Sequence, residues 1–261
     1  MYGFPPCKAR RITIVPESFN TVIFEKQDGI AYVYLNRPSV LNAYNVEMRD
    51  DMWQILQTIR DDCDIQVVII TGIGQKAFCV GADLTEFGSA PSQIIARQVR
   101  FERKIWELWQ SIPKPFICAA HGYTLGSGLE MALLCDLRIA TEDAIFGLPE
   151  TSLGMAPAAG GTQTLRRIVG IQKAFDLLFS NRRINAKEAL SIGLINKVVT
   201  SSELIDTAKD YACQFLDYNP IVLNFIKQAV VLGSDLTLPQ ALDLESRLAR
   251  RLLFAPRKDF D

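Results

Sequence analysis

Hydrophobic and polar positions near the start of the chain follow the pattern of a β-hairpin and an amphipathic helix. Residues 21–24 and 30–35 are apolar and β-branched, and a polar turn at 27–29 separates them. Asn45 is a residue type that caps helix N-termini, and apolar side chains follow it at helical spacing with charges on the other face. These side chains are Met48, Met52, Ile55, Leu56 and Ile59. We therefore expect two antiparallel strands and a helix that begins after Asn45.

The same order of strand and helix returns in the middle of the chain. Residues 66–71 form a short apolar run between charge and glycine, which is typical of a strand buried on both faces. Residues 91–112 carry the apolar periodicity of one long helix, and residues 116–120 predict a further buried strand. A glycine-rich turn then leads into a predicted helix over residues 127–134. Alternating strands and helices of this kind indicate an α/β core.

Helical periodicity dominates the last third of the chain. Residues 137–140 and 144–146 predict short strands, and the chain from residue 160 onward is mostly helical apart from a strand at 195–199. The last three predicted helices cover residues 201–217, 220–232 and 238–254. The expected divisions are an irregular N-terminal arm over 1–19, an α/β core over 20–200 and a helical region over 201–261.

Composition and charge narrow the functional classes. The chain has 261 residues, of which 49% are hydrophobic, and its formal net charge is −1. That balance is ordinary for a folded protein and argues against binding of nucleic acid by bulk electrostatics. No apolar run has the length of a membrane span, and the N-terminus lacks the long apolar stretch of a secretory signal. We expect a cytoplasmic protein with neither a nucleic-acid partner nor a membrane partner.

The cysteines and the single histidine restrict the chemistry further. The six cysteines contain no Cys-x-x-Cys pair, which favours reduced thiols. A catalytic triad or a histidine-rich zinc site would have to use His121, and no zinc-ligand spacing surrounds it. We therefore expect no metal site.

Small residues and carboxylates indicate that three segments are candidates for a ligand-binding or catalytic site. In the first, over residues 76–84, Gly81 and Ala82 allow a ligand to approach the backbone and leave the Ala82 N–H as a potential donor. In the second, over residues 122–130, a glycine-rich turn precedes a helix whose N-terminus stabilises negative charge on an oxygen. No Gly-Lys-Ser or Gly-Lys-Thr follows this turn, so a nucleotide-binding P-loop is not indicated.

Each of the last two segments also contributes a glutamate. Glu130 falls in the first turn of the predicted helix, where the helix dipole favours an ionised carboxylate and therefore a general base. Glu150, in the third segment over residues 146–155, is surrounded by apolar residues, and burial there would raise its pKa and keep it protonated. Two carboxylates in contrasting environments form a plausible base and acid.

These segments resemble the enoyl-CoA hydratase/isomerase (crotonase) superfamily, and the similarity covers nearly the whole chain. It begins with Leu-Asn-Arg-Pro at 35–38 and Leu-Asn-Ala at 41–43. It continues through FCVGADL, GYTLGSGLEMALLCDLRIA and FGLPETSLGMAPAAGGTQTLRRIVG. The resemblance implies an α/β crotonase-like spiral of repeated ββα units, whose C-terminal helices drive assembly into a homotrimer or a dimer of trimers. It also implies an acyl-CoA thioester substrate and no metal or redox cofactor, because coenzyme A belongs to the substrate.

The resemblance further implies roles for single residues. Backbone N–H groups of Ala82 and Ser127 would hold the thioester oxygen, Glu130 would activate water and Glu150 would protonate the α-carbon. The other positions that match substrate-binding residues of the family are Ala43, Gly81, Asp83, Leu84, Gly126, Gly128 and Pro149. Two glutamates favour a hydratase, because isomerases of the superfamily often use one acid/base at the second position. An enoyl-CoA isomerase or another crotonase-type lyase is the alternative.

Some features depart from the family pattern. Ser127 replaces the middle glycine of a Gly-Gly-Gly turn, which costs about 1 kcal/mol only if the position needs a positive φ. The family's final Lys- and Arg-rich helix, which helps to cover coenzyme A, is expected to be absent. A rival class, an RNA-binding or non-catalytic protein of the same fold, needs an exposed basic helix. The candidate basic series is Arg97, Arg100, Arg103 and Lys104, which Glu102 and Glu107 interrupt.

Overall fold

The computed structural model describes residues 19–95 and 102–252, and its strands form two sheets. The strands are β1 (Val22–Gln27), β2 (Ile30–Leu35), β3 (Val67–Gly72), β4 (Ala77–Cys79), β5 (Phe116–Ala120), β6 (Tyr123–Leu125), β7 (Leu137–Thr141), β8 (Ile145–Gly147), β9 (Ile184–Asn185) and β10 (Lys197–Val199). One sheet has the order β1-β2-β3-β5-β7-β10, and the other has the order β4-β6-β8-β9. Neighbouring strands are parallel except in the pairs β1–β2 and β8–β9.

Helices connect and cover these strands. They are α1 (Val46–Asp61), α2 (Ile105–Ser111), α3 (Ser127–Leu134), α4 (Gly161–Val169), α5 (Ile171–Ser180), α6 (Ala186–Ser191), α7 (Leu204–Leu216), α8 (Pro220–Gly233) and α9 (Leu238–Leu252). Short 3-10 helices follow β2, β4 and β8, at Pro38–Val40, Leu84–Glu86 and Pro149–Leu153. Over the described ranges, no helix combines the length and the apolar character that crossing a membrane requires.

The N-terminal hairpin and the first helix form as the pattern predicts. β1 pairs antiparallel with β2 through a two-residue turn, in which Asp28 and Gly29 have φ of 53° and 85°. Positive φ at both positions matches the right-handed twist of the flanking strands. Asn45 caps α1, because its side chain accepts a hydrogen bond of 2.9 Å from the Met48 N–H.

The strand β3 inside the six-stranded sheet is buried on both faces, as predicted. Successive side chains of a strand point to opposite faces. Val68 and Ile70 belong to the larger core cluster, which includes the apolar face of α1. Val67 and Ile69 belong to a second cluster, which Ala208 and its neighbours on α7 complete. The start of the helical C-terminal region is therefore part of the core.

The prediction of one continuous helix over residues 91–112 is wrong. Residues 93–95 are helical and α2 begins at Ile105, but residues 103 and 104 are not helical. The two halves also differ in burial, since Ile105 is buried whereas Ile94 is 77% exposed. The Arg103 guanidinium pairs with Asp50 on α1 at 3.2 Å, where the helix is interrupted. Residues 96–101, and nearly all of the predicted arm over 1–19, lie outside the described residues.

Candidate active site

A cleft of about 990 Å³ lies where the three candidate segments meet. The segments contain β4, β6 and the end of β8, which are adjacent parallel strands of the smaller sheet, and the loops after these strands. Because the carboxyl ends of parallel strands lie at the same edge of a sheet, the loops after them converge. Gly81, Ser127 and Glu150, one residue from each segment, all line this cleft.

Two glycines allow the main chains of the first two segments to touch. Gly81 and Gly126 have φ of 104° and 51°, a region that L side chains rarely adopt. A Cβ atom on Gly81 would lie 3.4 Å from both the Gly126 Cα and the Ser127 nitrogen. This close approach places the Ala82 and Ser127 amides in the same wall of the cleft. Among the described residues, neither of these N–H groups donates to a protein acceptor.

Ser127 fits its position without backbone strain. It is the first residue of α3 and is not among the described non-glycine residues with positive φ. The positive φ belongs instead to Gly126, just before it. A side chain at 127 therefore costs little, and the amide stays at the positive end of the helix dipole.

Glu130 lies on the first turn of α3 and is 1% exposed. Its Oε1 atom accepts hydrogen bonds from the N–H groups of Ala159 and Gly161, at 2.9 and 2.8 Å. Burial raises the pKa of this carboxyl, although both main-chain bonds and a bond to the Ser127 side chain oppose the rise. Burial therefore has the larger effect on this pKa, and the carboxyl ionises less readily than its place at the start of a helix predicts. The main-chain bonds fix the carboxylate in one orientation.

Glu150 lies on the 3-10 helix after β8, where it is half-buried. Burial raises its pKa to about 7, and the negative charge of Glu130 contributes to the rise. Its Oε2 atom is buried and has no hydrogen-bond partner among the described residues. A Cβ atom on Gly126 would lie 3.1 Å from its Oε1. The predicted direction of the Glu150 pKa is confirmed, and this carboxyl is suited to hold a proton near neutral pH.

Most of the other predicted substrate-binding residues line the cleft, namely Gly81, Asp83, Leu84, Gly126 and Pro149. Two of these predicted residues, Gly128 and Ala43, do not line it. Gly128 is buried behind the wall, where a Cβ atom would lie 2.2 Å from the carbonyl oxygen of Cys79. Its glycine allows α3 to pack on β4. Ala43 is also buried, and its carbonyl oxygen accepts a bond from Arg37.

Sequence reasoning missed several residues of the cleft. Tyr44 and Trp106 line it as an aromatic pair with ring centroids 5.7 Å apart. Arg49 and Arg183 line it as well. No local motif marks these side chains, although Tyr44 directly follows the Leu-Asn-Ala motif. Their assignment requires the three-dimensional arrangement of the loops.

The residues considered for a catalytic triad, a metal site or RNA binding lie outside the cleft or form ion pairs. His121 is buried and is not among the described residues that line the cleft. Within the described ranges, no group of three or more His, Cys, Asp or Glu side chains is placed to hold a metal ion. Arg103 and Lys104 pair with Asp50 and Glu107. The rest of the basic series, Arg97 and Arg100, lies outside the described residues.

The fold and the cleft are typical of enzymes in which main-chain amides and carboxylates act together on one small molecule. Residues 25–255 match the family model for enoyl-CoA hydratase/isomerase, and the chain belongs to that family. The resemblance noted from the sequence motifs is thereby confirmed.

Relatives with known names and structures agree with this membership. The chain is 40% identical over 227 residues to the short-chain-enoyl-CoA hydratase of Clostridium acetobutylicum, with 87% of each chain covered. It is 37% identical over 230 residues to the crotonyl-CoA hydratase of Syntrophomonas wolfei, with 88% of each covered. A crystal structure of enoyl-CoA hydratase from Bacillus anthracis matches with a TM-score of 0.86 at 33% identity, covering 90% of this chain and 92% of that one. The predicted α/β crotonase-like fold class is confirmed.

Proposed function

We propose that this protein is an enoyl-CoA hydratase, which adds water across the α,β double bond of an enoyl- or dienoyl-CoA thioester. The observation that carries the proposal is the convergence of two unpaired main-chain amides, the buried Glu130 carboxylate and the half-buried Glu150 carboxyl on one cleft. Relatives that are 37% and 40% identical to it over 230 and 227 aligned residues are named as hydratases of this class. Coenzyme A enters as part of the substrate, and the proposed reaction uses no further cofactor.

The two amides are proposed to stabilise the enolate. Attack of water at the β-carbon pushes the π electrons of the double bond onto the thioester oxygen. The N–H groups of Ala82 and Ser127 would donate to that oxygen, and each such donor contributes about 3–4 kcal/mol in comparable sites. Their location beside the N-terminus of α3 adds a favourable dipole.

The two carboxyl groups are proposed to move the protons. Glu130 takes a proton from water as its oxygen bonds to the β-carbon. Glu150 delivers its proton to the α-carbon as the enolate electrons return. The orientation of Glu130 by two main-chain donors and the raised pKa of Glu150 suit these separate roles.

We also propose that the chain assembles into a homotrimer or a dimer of trimers. The proposed location is the cytoplasm. The apolar helix α8 contains no buried residue in the single chain, and α9 follows it with exposed leucines. Ile226, Val230 and Leu238 are 56%, 64% and 71% exposed. Exposed apolar side chains grouped on two consecutive helices are typical of a protein interface. Light scattering of the purified chain tests this part, and a monomer would contradict it.

The reaction is tested with the purified protein and a panel of thioesters that includes crotonyl-, branched and cyclic dienoyl-CoA. We expect the absorbance of the conjugated thioester to disappear and the product mass to increase by one water. Migration of the double bond at unchanged mass would indicate an isomerase instead. Failure to convert any member of the panel, with salt-sensitive binding to RNA, would favour the non-catalytic alternative.

A further inference from the structure

The Leu-Asn-Arg-Pro and Leu-Asn-Ala motifs take no part in the proposed proton transfers, yet they lie directly against the segment that holds Ala82. The Tyr44 N–H donates to the Gly81 carbonyl, and the Asp83 N–H donates to the Tyr44 carbonyl, each at 2.8 Å. This parallel bridge uses the main-chain groups on either side of Ala82. It leaves the Ala82 N–H itself available to a ligand.

Arg37 joins the two strands of this bridge through its side chain. One nitrogen, Nη1, donates both to the Ala43 carbonyl and to Asp83 Oδ2, the latter at 2.9 Å. The side chains of Arg37 and Asp83 are 21% and 11% exposed, so solvent screens this ion pair only in part. The other oxygen of Asp83 accepts bonds from the N–H and the hydroxyl of Thr85. Asp83 is thereby held on both oxygens.

The loop that carries Arg37 is itself anchored to the strands beneath it. The Arg37 N–H donates to Asn42 Oδ1, and the Asn42 amide donates to the carbonyls of Ile73 and Ala77, both at 3.0 Å. Asn42 is fully buried and has φ of 57°, a conformation that asparagine tolerates better than most residues. The guanidinium is therefore attached to a rigid base.

We propose that Arg37 is a positioning residue for the oxyanion hole, which holds the 81–83 segment so that the Ala82 N–H points at the thioester oxygen. The inference rests on the proposed function. Without the guanidinium, Asp83 and the Ala43 carbonyl lose their shared donor. The segment carrying Ala82 then keeps only its main-chain hydrogen bonds to the 37–44 loop and loses the side-chain connection. An oxyanion donor is effective only when its N–H group is already oriented towards the position of the oxyanion. A small displacement of the Ala82 N–H therefore reduces turnover more than substrate binding.

The test compares Arg37→Met with the wild-type protein by steady-state kinetics and by infrared spectroscopy of bound butanoyl-CoA labelled with ¹³C at the carbonyl. In the wild type, we expect donation by the two amides to lower the carbonyl stretching frequency of the bound thioester relative to its value in water. In Arg37→Met we expect this band to move back towards its position in water. We also expect kcat with crotonyl-CoA to fall about tenfold or more, with KM changed less than about threefold.

A matched control separates positioning from a loss of stability. Lys26→Met removes an ion pair with Asp62 that is comparably buried, with side chains 19% and 28% exposed, together with an ion pair to the exposed Asp64. None of these three residues lines the cleft. This variant should leave the carbonyl band and kcat unchanged. If Arg37→Met does not fold, Arg37→Lys and Asp83→Asn replace it, with the band retained in the first and partly lost in the second.

The possible outcomes are distinct. If the wild type is active and the carbonyl band has the same frequency in the wild type and in Arg37→Met, the positioning role is overturned. A wild type that neither hydrates enoyl-CoA nor shifts the band would instead overturn the proposed function.

Discussion

Replacement of Glu150 by glutamine is expected to abolish hydration and to stabilise the protein at alkaline pH. Burial raises the pKa of Glu150 from 4.5 to about 7, so the folded chain keeps a proton that the unfolded chain has lost. Between these values the unfolded state binds fewer protons than the folded state. The free energy of unfolding of the wild type therefore falls as the pH rises through this window. Glutamine cannot ionise, so the variant escapes this loss.

The size of the effect follows from the same pKa. The change from 4.5 to about 7 corresponds to about 3 kcal/mol for a carboxyl that is fully shielded from solvent. Glu150 is only half-buried, and solvent screening reduces this figure. We expect the stability of Glu150→Gln relative to wild type to increase by about 1–2 kcal/mol between about pH 5 and about pH 8.5. For a chain of this size, each kcal/mol corresponds to about 2–4 °C in Tm.

The assay is denaturant and thermal unfolding of three proteins at both pH values. The third protein is Glu142→Gln, which removes the charge of an exposed glutamate outside the cleft. Its stability relative to wild type should be nearly independent of pH. If Glu150→Gln also showed no dependence on pH, or became relatively less stable at alkaline pH, the argument from burial of Glu150 would be refuted.

Three further predictions concern the cleft. Glu130→Gln should lower kcat about 10²–10⁴-fold with little change in the Kd of butanoyl-CoA, because only the general base is lost; a near-normal kcat would contradict this role. The kcat/KM of the wild type should fall about tenfold for each pH unit above about 7, as Glu150 loses the proton that it must deliver; a profile flat to about pH 9 would exclude it as the acid. Gly126→Ala should lower kcat more than Gly193→Ala. Both substitutions strain a positive φ, but only the first places a Cβ atom 3.1 Å from a Glu150 oxygen, and Gly193 has open space there. Equal effects on kcat at equal stability would contradict the contact.

Local patterns predict those elements whose cause is local. The strand over 116–120 and the helix over 127–134 occur at their predicted bounds, because a bounded apolar run and a glycine-rich turn determine them within a few residues. The strand β9 was missed, since it has two residues and forms only by pairing with β8. The break before Ile105 was missed because apolar residues at helical spacing do not reveal that one half of the segment is buried and the other exposed.

The residues of the candidate site, like the strands and helices, could be predicted from the sequence where their cause is local. The glycine-rich turns and the apolar setting around Glu150 are local signals, and they indicate where a ligand approaches the backbone. The direction of the Glu130 pKa depends on how deeply α3 is buried, which its own sequence does not state. The separation of Gly128 from the cleft depends on its contact with Cys79, nearly fifty residues away in the chain.

A crystal structure with bound butanoyl-CoA tests the central claim most directly, because this thioester cannot be hydrated and leaves the site intact. The account predicts the thioester oxygen at about 2.7–3.1 Å from the amide nitrogens of both Ala82 and Ser127. It also predicts the Glu150 carboxyl group beside the α-carbon and the Glu130 carboxyl group near the β-carbon, with room for one water between Glu130 and that carbon. A thioester oxygen that lies away from these amides, or an acyl chain that lies outside the space between the two glutamates, would contradict it.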